Sequence, residues 1–403
     1  TDRMNICYVS NIDISLPDGP GVNEREFVRT LAAGSELRGD EVFFIMPHPS
    51  KRLDFSIRNV RHFQATSINK PSFLWFDILS VTWHSSKLIL KKIRNSNIDL
   101  FVVRLSINSI LVPVLLILLG QRYSIKTLED IYIFPPLEFN LKWKAFMLIL
   151  RKILGIGLRK AVSIDVCTPQ LYYNYKDKYD LKNIKIIENP VNIELFTIMD
   201  KEYCKNKCGL KGFEKIVGYC GGSPSQRGAR QLVDISRDLI SRYPDCGIVI
   251  IGDDAELHVL KERAKQIGTD SHMVFKGTID YEDLGFYINC MDVGVALDTE
   301  EKIRFVGNAS QKIRQYLACG VPVICPEGTN KRIVDEGLGV AVSVNELDQI
   351  YEAICFWFDK PVNDRGGVSI KSCEFAQNNF STKKVFEERY SLWKGSIAKT
   401  VLG

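Results

Sequence analysis

Asn308–Cys325, NASQKIRQYLACGVPVIC, is the stretch whose reading decides the fold: a short helix that runs straight into a buried strand. Asn308 with Gln311 three residues on has the form of a capping box, Gly320 and Pro322 end the helix, and β-branched Val321, Val323 and Ile324 begin the strand. Ile313, Tyr316 and Leu317 recur at helical spacing and are expected to face a core, which leaves Lys312 and Gln315 on another face. Lys312 falls in the first turn, beside backbone N–H groups without helical partners and the positive end of the helix dipole, so the segment offers a cation and several donors to a phosphate. Gln315, one turn further in, is placed to hydrogen-bond whatever carries that phosphate. An ordinary amphipathic helix with a solvated lysine has the same pattern, so the surrounding sequence has to decide.

The preceding sequence supplies strands and a glycine loop. Lys215–Cys220 predicts a strand, Gly221-Gly222-Ser223-Pro224-Ser225-Gln226-Arg227-Gly228 a glycine loop, and a helix follows from about Ala229 to Arg242. Arg227 sits where a guanidinium can meet a phosphate held at that loop in bidentate fashion, which lysine does less well. Cys246–Gly252 and His272–Gly277 predict strands ending in glycine, Met291–Leu297 another, and Gly339–Val344 a last one; Glu346–Phe358 and Ser381–Ile397 read as helices.

The first half has the same grammar. Met4–Ser10 predicts a buried strand, Asp18-Gly19-Pro20-Gly21 a glycine loop, and Val22–Leu37 a helix. Glu41–Met46 runs into Pro47 and His48 instead of ending in an acid, and the full GxGxxG is missing, so a nicotinamide enzyme is disfavoured. A helix near Pro71–Arg94, a strand at Asp99–Val103, a helix across Ile107–Gly120 and a strand at Ser124–Leu128 follow. Such alternation implies an α/β fold with mostly parallel sheets covered on both faces. Glu129 and Asp130 come just after a strand, at the sheet edge where ligands bind, and are candidate catalytic or acceptor-binding carboxylates; a helix start attracts acids as well. Phe139–Lys160 carries six cations and no acid among aromatic and aliphatic residues. That profile suits either an anionic membrane surface or a domain helix with a wet basic face. A short strand at Ala161–Ile164 and the run Ile184–Phe196 lead to lysine-rich Lys201–Gly212, where the domain linker is expected. Two similar halves in tandem suggest a ligand held in a cleft between them.

Length and composition agree. A chain of 403 residues suggests two domains, and a net charge of +5 is too diffuse to argue for nucleic acid. The eleven cysteines follow no paired spacing and read as reduced thiols of an intracellular protein; Cys204 and Cys208 lack the further ligands a zinc site needs. No secretory signal opens the sequence, and the longest uncharged apolar run, Ile110–Leu119, is too short to span a bilayer.

VGYCGGSPSQRG, GIVIIGD, MVFKGTIDYEDL, MDVGVAL and NASQKIRQYLACGVPVI, in that order, resemble the nucleotide-sugar glycosyltransferases of the GT-B fold, specifically the large retaining family 4. DGPGVNEREF and IIENPVNIELF add to the resemblance, whose most specific part is KIRQYLACGVPVI. It implies two Rossmann-like parallel-sheet domains facing each other across a cleft: an acceptor domain over residues 1–200 joined by the C-terminal helix 381–403, a linker at 201–212, and a donor domain over 213–380. It implies a hexosyltransferase, using a UDP-, GDP- or ADP-sugar, that acts on a glycan or lipid-linked glycan in polysaccharide or glycoconjugate biosynthesis. No cofactor, metal or nucleic acid would be needed, and the protein would be cytoplasmic and peripheral on a membrane at most.

Carried over residue by residue, Arg227 matches the basic residue that contacts the diphosphate, and Lys312 with the amides around Ser310 and Gln311 matches the phosphate-binding helix start. Gln315 stands where the family has a glutamate for the ribose hydroxyls, Gly277 to Ile279 match the turn that meets the nucleobase, and Gly21 matches the first-domain loop facing the diphosphate. Gly222, Ser223 and Asn308 complete the expected donor site. The family's arginine after the first strand of this domain is Tyr219 here, the first of its paired glutamates is Gly307, and its histidine is not evident near Glu129 and Asp130. Glu300 or Glu301 is a substitute acid that can reach in from the preceding loop. No protein nucleophile is evident, and the family's retaining outcome is attributed to same-face attack with the donor phosphate as base. A nucleotide-sugar epimerase of the same fold, and a binding subunit or scaffold that has lost catalysis, are the two alternatives.

Overall fold

The apolar runs fold as parallel strands in two separate sheets. The computed structural model describes residues 3–16, 19–52, 56–63, 74–127 and 141–402. The chain divides into two units, one of residues 1–16, 20–189 and 385–403 and the other of 17–19 and 190–384.

In the first unit β1 (Asn5–Val9), β2 (Glu41–Pro47), β3 (Val60–Phe63), β4 (Leu100–Arg104), β5 (Tyr123–Thr127), β6 (Ser163–Val166) and β7 (Ile184–Ile186) form one sheet in the order β3-β2-β1-β4-β5-β6-β7. Every pairing is parallel. Its helices are α1 (Gly19–Arg38), α2 (Leu74–Asn95), α3 (Val112–Leu118), α4 (Leu141–Lys160) and α5 (Pro169–Tyr179). α1 already begins at Gly19, so Gly21 belongs to its first turn and is not part of a loop as expected. The helix expected across Ile107–Gly120 is a single 3-10 turn followed by α3, because Pro113 lacks the N–H an uninterrupted helix needs and is tolerated only in a first turn. Glu129 and Asp130 lie outside the described residues.

The second unit carries α6 (Lys201–Cys208), β8 (Lys215–Cys220), α7 (Gly228–Asp234), α8 (Ser236–Arg242), β9 (Cys246–Ile251), α9 (Leu257–Gln266), β10 (Met273–Gly277), α10 (Leu284–Asn289), β11 (Val293–Val295), α11 (Glu300–Val306), α12 (Gln311–Ala318), β12 (Val323–Pro326), α13 (Lys331–Asp335), β13 (Gly339–Val342), α14 (Leu347–Phe358) and α15 (Val362–Phe380). The sheet order is β10-β9-β8-β11-β12-β13, again all parallel. Strands buried on both faces explain the continuous apolar runs such as KIVGYC. The segment expected as a linker is α6, capped by Asp200 and closed by Gly209; Cys204 and Cys208, four apart, put one face into the core with Val249, Ile288 and Leu317. The boundary therefore falls near residue 190.

A last helix, α16 (Thr382–Leu402), returns to the first unit from Val385 onward and packs Phe386, Tyr390 and Trp393 against Phe27 and Leu31 of α1. Arg389 of this helix meets Asp165 of β6 at 2.9 Å with both side chains buried. Nearby, Glu24 accepts from Tyr8 and pairs with Lys126 at 3.2 Å and Arg104 at 3.4 Å, all fully buried. Charges this deep persist only because each has a partner. All eleven cysteines are free and buried.

Candidate functional site

In an open parallel sheet, ligands bind at the carboxyl edge where the strand order reverses. In the second unit that point lies between β8 and β11, whose neighbours on the other sides are β9 and β12. The glycine loop leaves β8 there, and Asp298 follows β11.

The loop is built for close approach. Gly221 has φ +140°, and a side-chain carbon on it would come within 3.1 Å of the Lys312 Nζ. Gly252, at the end of β9, has φ +128°, and a side-chain carbon there would stand 1.9 Å from the Gly221 carbonyl oxygen. Both positions need glycine for conformation and for space. Ser223 is left-handed, and Asp254 accepts from the Ser225 amide and hydroxyl at 2.9 and 2.6 Å. Tyr219, where the family resemblance has arginine, is fully buried and donates to the Gly222 carbonyl at 2.8 Å. Its ring also faces the Lys312 ammonium at 4.0 Å. It thus holds the loop and stabilises a cation through its π face.

Two cations pair with one acid, and Lys312 lies within their electrostatic reach. Arg227 Nε lies 3.1 Å from one Asp298 oxygen and Lys302 Nζ 2.6 Å from the other, and both cations, with Asp298, act on Lys312. Burial brings the Lys312 ammonium down to about 7, reinforced by Arg227 and opposed by Asp298. Neither Asp298 nor Lys302 was singled out from sequence; the acid following MDVGVAL at the carboxyl end of a parallel strand was the available signal. Glu300, expected to reach into the site, is exposed at the start of α11 and accepts from Asn345 at 2.6 Å. Asp298 is the acid that the fold delivers instead.

The helix start differs in detail from its expected form. The residue preceding α12 is Ser310, and no capping box forms. Asn308 is a brace: its Nδ2 donates to the Ala296 carbonyl at 3.0 Å, and its Oδ1 accepts from the Ser310 amide at 3.2 Å. The Gln311 side chain donates through Nε2 to the Pro190 carbonyl at 2.6 Å and so fixes the chain after β7. Arg314, buried, donates to the Ala309 and Ser310 carbonyls at 3.1 Å. Lys312 and Gln315 are both buried on this helix, with Ile313, Tyr316 and Leu317 in the core beneath. Gly277 has φ +65° and its carbonyl accepts from the Gly252 amide at 2.8 Å, while half-buried Ile279 packs against the same core. Gly222 is half-buried in the loop above β8. The structure thus gathers Gly222, Ser223, Arg227, Asp298, Lys302 and Lys312 at one sheet edge. Gly21 belongs to the other unit. Among the described residues no cluster of His, Cys, Asp and Glu could hold a metal ion.

Comparison with known proteins finds similar sequences and folds. Residues 214–360 match the family model described as Glycosyl transferases group 1. A GDP-mannose-dependent alpha-(1-6)-phosphatidylinositol monomannoside mannosyltransferase of Mycolicibacterium smegmatis is 28% identical over 139 residues, covering 32% of this chain and 35% of that protein. The match therefore spans about a third of the curated relative's length. Among solved structures, sucrose-phosphate synthase from Thermosynechococcus elongatus superposes with a TM-score of 0.77 at 17% identity, covering 98% of this chain and 100% of that one. HepE of Anabaena, solved in complex with UDP and glucose, superposes with a TM-score of 0.69 at 13% identity over the whole of both chains. The protein has the two-domain GT-B fold, and residues 214–360 of its second domain match the model of the glycosyl transferases group 1 family.

Proposed function

We propose that the protein transfers a hexosyl group from a nucleoside diphosphate sugar to a hydroxyl of a glycan or lipid-linked glycan, with retention at the transferred carbon. The observation that carries the reading is the meeting of Arg227, Lys302 and Lys312 at the carboxyl edge of β8 and β11. As the bond between the sugar carbon and the diphosphate oxygen breaks, negative charge grows on the leaving diphosphate. Preorganised cations and the first-turn amides of α12 stabilise that charge without reorganising water. Asp298 keeps Arg227 and Lys302 in place between turnovers. The acceptor hydroxyl attacks the face that the diphosphate leaves, and its proton passes to a donor phosphate oxygen, so no protein nucleophile is required. Gln315 takes the ribose hydroxyls as a neutral hydrogen-bonding partner.

The test is release of nucleoside diphosphate from a panel of UDP-, GDP- and ADP-sugars with glycan and lipid-linked acceptors. The wild-type protein turns over one donor, and Lys312→Ala and Arg227→Ala each lose on the order of a hundredfold or more in kcat/KM. Unchanged transfer in both variants would sink the assignment. Conversion of the donor sugar without any acceptor would instead mark an epimerase.

A further inference from the structure

The first unit has a cavity on the side of its sheet away from the edge where reacting ligands bind. Every strand of that sheet is parallel, so the carboxyl ends share one edge and the amino ends the other. A space of about 570 Å³ lies at the amino edge, where α5 ends and β7 begins. Tyr172, Lys176, Asp177, Asp180, Lys182 and Ile184 line it. Its volume falls within the roughly 300–1,000 Å³ of small-molecule sites.

The walls are fixed from beneath. Thr168 caps α5 by accepting from the Leu171 amide at 3.2 Å, and Leu171, Tyr175, Tyr179 and Leu181 are buried. Asp180 ends the helix in the left-handed region with φ +50°, and the Leu181 amide donates to the Lys176 carbonyl at 3.2 Å. Asp and Asn adopt that conformation more readily than other side chains. With 171, 175 and 179 turned to the core, Tyr172, Tyr173 and Lys176 lie on the outer face of the helix. The Tyr172 and Tyr173 rings meet edge to face with centroids 5.4 Å apart. Tyr172 is half-buried, and Lys176 Nζ donates to its hydroxyl at 3.1 Å, so the ring is held in place.

The lining selects an uncharged ligand. Lys176 and Lys182 are balanced by Asp177 and Asp180, so an anion and a cation are each opposed as much as they are attracted. A molecule rich in hydroxyls uses both signs. Each hydroxyl can donate to a carboxylate, which only accepts, and accept from an ammonium, which only donates. Hydrogen bonds of this charge-assisted kind are stronger than those between neutral groups. A tyrosine ring meanwhile packs against the C–H face of a pyranose and keeps its own hydroxyl in polar surroundings. Donors, acceptors and an aromatic platform in one recess are the requirements of a neutral saccharide.

We infer that the cavity between α5 and β7 binds a neutral oligosaccharide, stacked on Tyr172 and hydrogen-bonded by Lys176, Asp177, Asp180 and Lys182. Its place at the amino edge makes it an accessory site, which holds a stretch of glycan away from the reacting hydroxyl. That role rests on the proposed transfer to a glycan, whereas the binding is measured without any transfer.

The experiment is calorimetric titration of the full chain with maltohexaose, cellohexaose and α-1,6-linked mannohexaose. Expected is saturable binding of at least one of them, insensitive to added salt because the ligand is uncharged. Tyr172→Ala is expected to weaken that binding roughly tenfold, and Tyr172→Phe, which keeps the ring, to retain most of it. Asp180→Asn suits the left-handed turn, so it removes the carboxylate while keeping the fold, and is expected to weaken binding about tenfold. Tyr203→Ala, at an exposed tyrosine of the second unit, leaves it unchanged. Circular dichroism of each variant checks that the fold is kept. Binding of none of the three oligosaccharides, wild-type affinity in both Tyr172→Ala and Asp180→Asn, or displacement of the sugar by inorganic phosphate would overturn the inference. A protein that binds a nucleotide but no oligosaccharide loses this site and keeps its donor site; one that binds an oligosaccharide but no nucleotide does the reverse.

Discussion

Lys312 carries its charge against its surroundings. Lysine ordinarily titrates near 10.4, and burial beside Arg227 brings this one to about 7. Below pH 7 the folded and unfolded chains both hold the proton. Between 7 and the ordinary value the unfolded chain holds more protons, so this residue makes stability rise with pH across that window. Nucleotide binding has the opposite sign, because a diphosphate favours the ammonium. Affinity for a nucleoside diphosphate is expected to be flat just below pH 7, to fall above it, and to be accompanied near pH 8 by uptake of a proton. Calorimetry in buffers of different ionisation enthalpy reads that uptake directly, and Lys312→Met should abolish it. Asp298 opposes the depression of Lys312, so Asp298→Asn should move the onset of the fall to lower pH; an onset that stays put would show that Asp298 does not act on the lysine. Residue identity made Arg227 and Lys312 legible, since a glycine loop and a helix start announce themselves locally. Asp298 and Lys302 were not, because their meeting with Arg227 requires β11 to lie beside β8. The side-chain bonds of Asn308 to the Ala296 carbonyl and of Gln311 to the Pro190 carbonyl likewise depend on the fold and are not announced locally.

At the scale of elements, buried parallel strands are written plainly as unbroken apolar runs, and β8, β9 and β12 fall where the sequence predicts them. α15 escaped reading because Gly366 and Gly367 and a mostly exposed surface hide its period, although it packs against α12. α6 looked like a linker because only its two cysteines mark the buried face. The return of α16 to the first unit depends on a buried ion pair that spacing alone does not reveal. Arg389→Ala would leave Asp165 buried without its guanidinium and is expected to destabilise the protein by about 3 to 5 kcal/mol in urea unfolding. A loss below about 1 kcal/mol would mean that aromatic packing by Phe386, Tyr390 and Trp393 holds the helix unaided.

On the scale of the whole molecule, the doubled strand, glycine and helix pattern suggests two similar α/β halves, the family resemblance implies two Rossmann-like domains, and the structure has two all-parallel sheets, with the candidate donor-site residues gathered in the second unit. Tyr172→Ala and Asp180→Asn, in the first unit, should therefore leave nucleotide affinity within about twofold of wild type, an independence expected of sites that share no contact. The most direct test of the central claim is calorimetric titration of the wild-type protein, Arg227→Ala and Lys312→Ala with UDP, GDP and ADP. The account predicts saturable binding of one nucleotide by the wild-type protein, lost in both variants. Binding of none of the three, or equal binding by all three proteins, would contradict it.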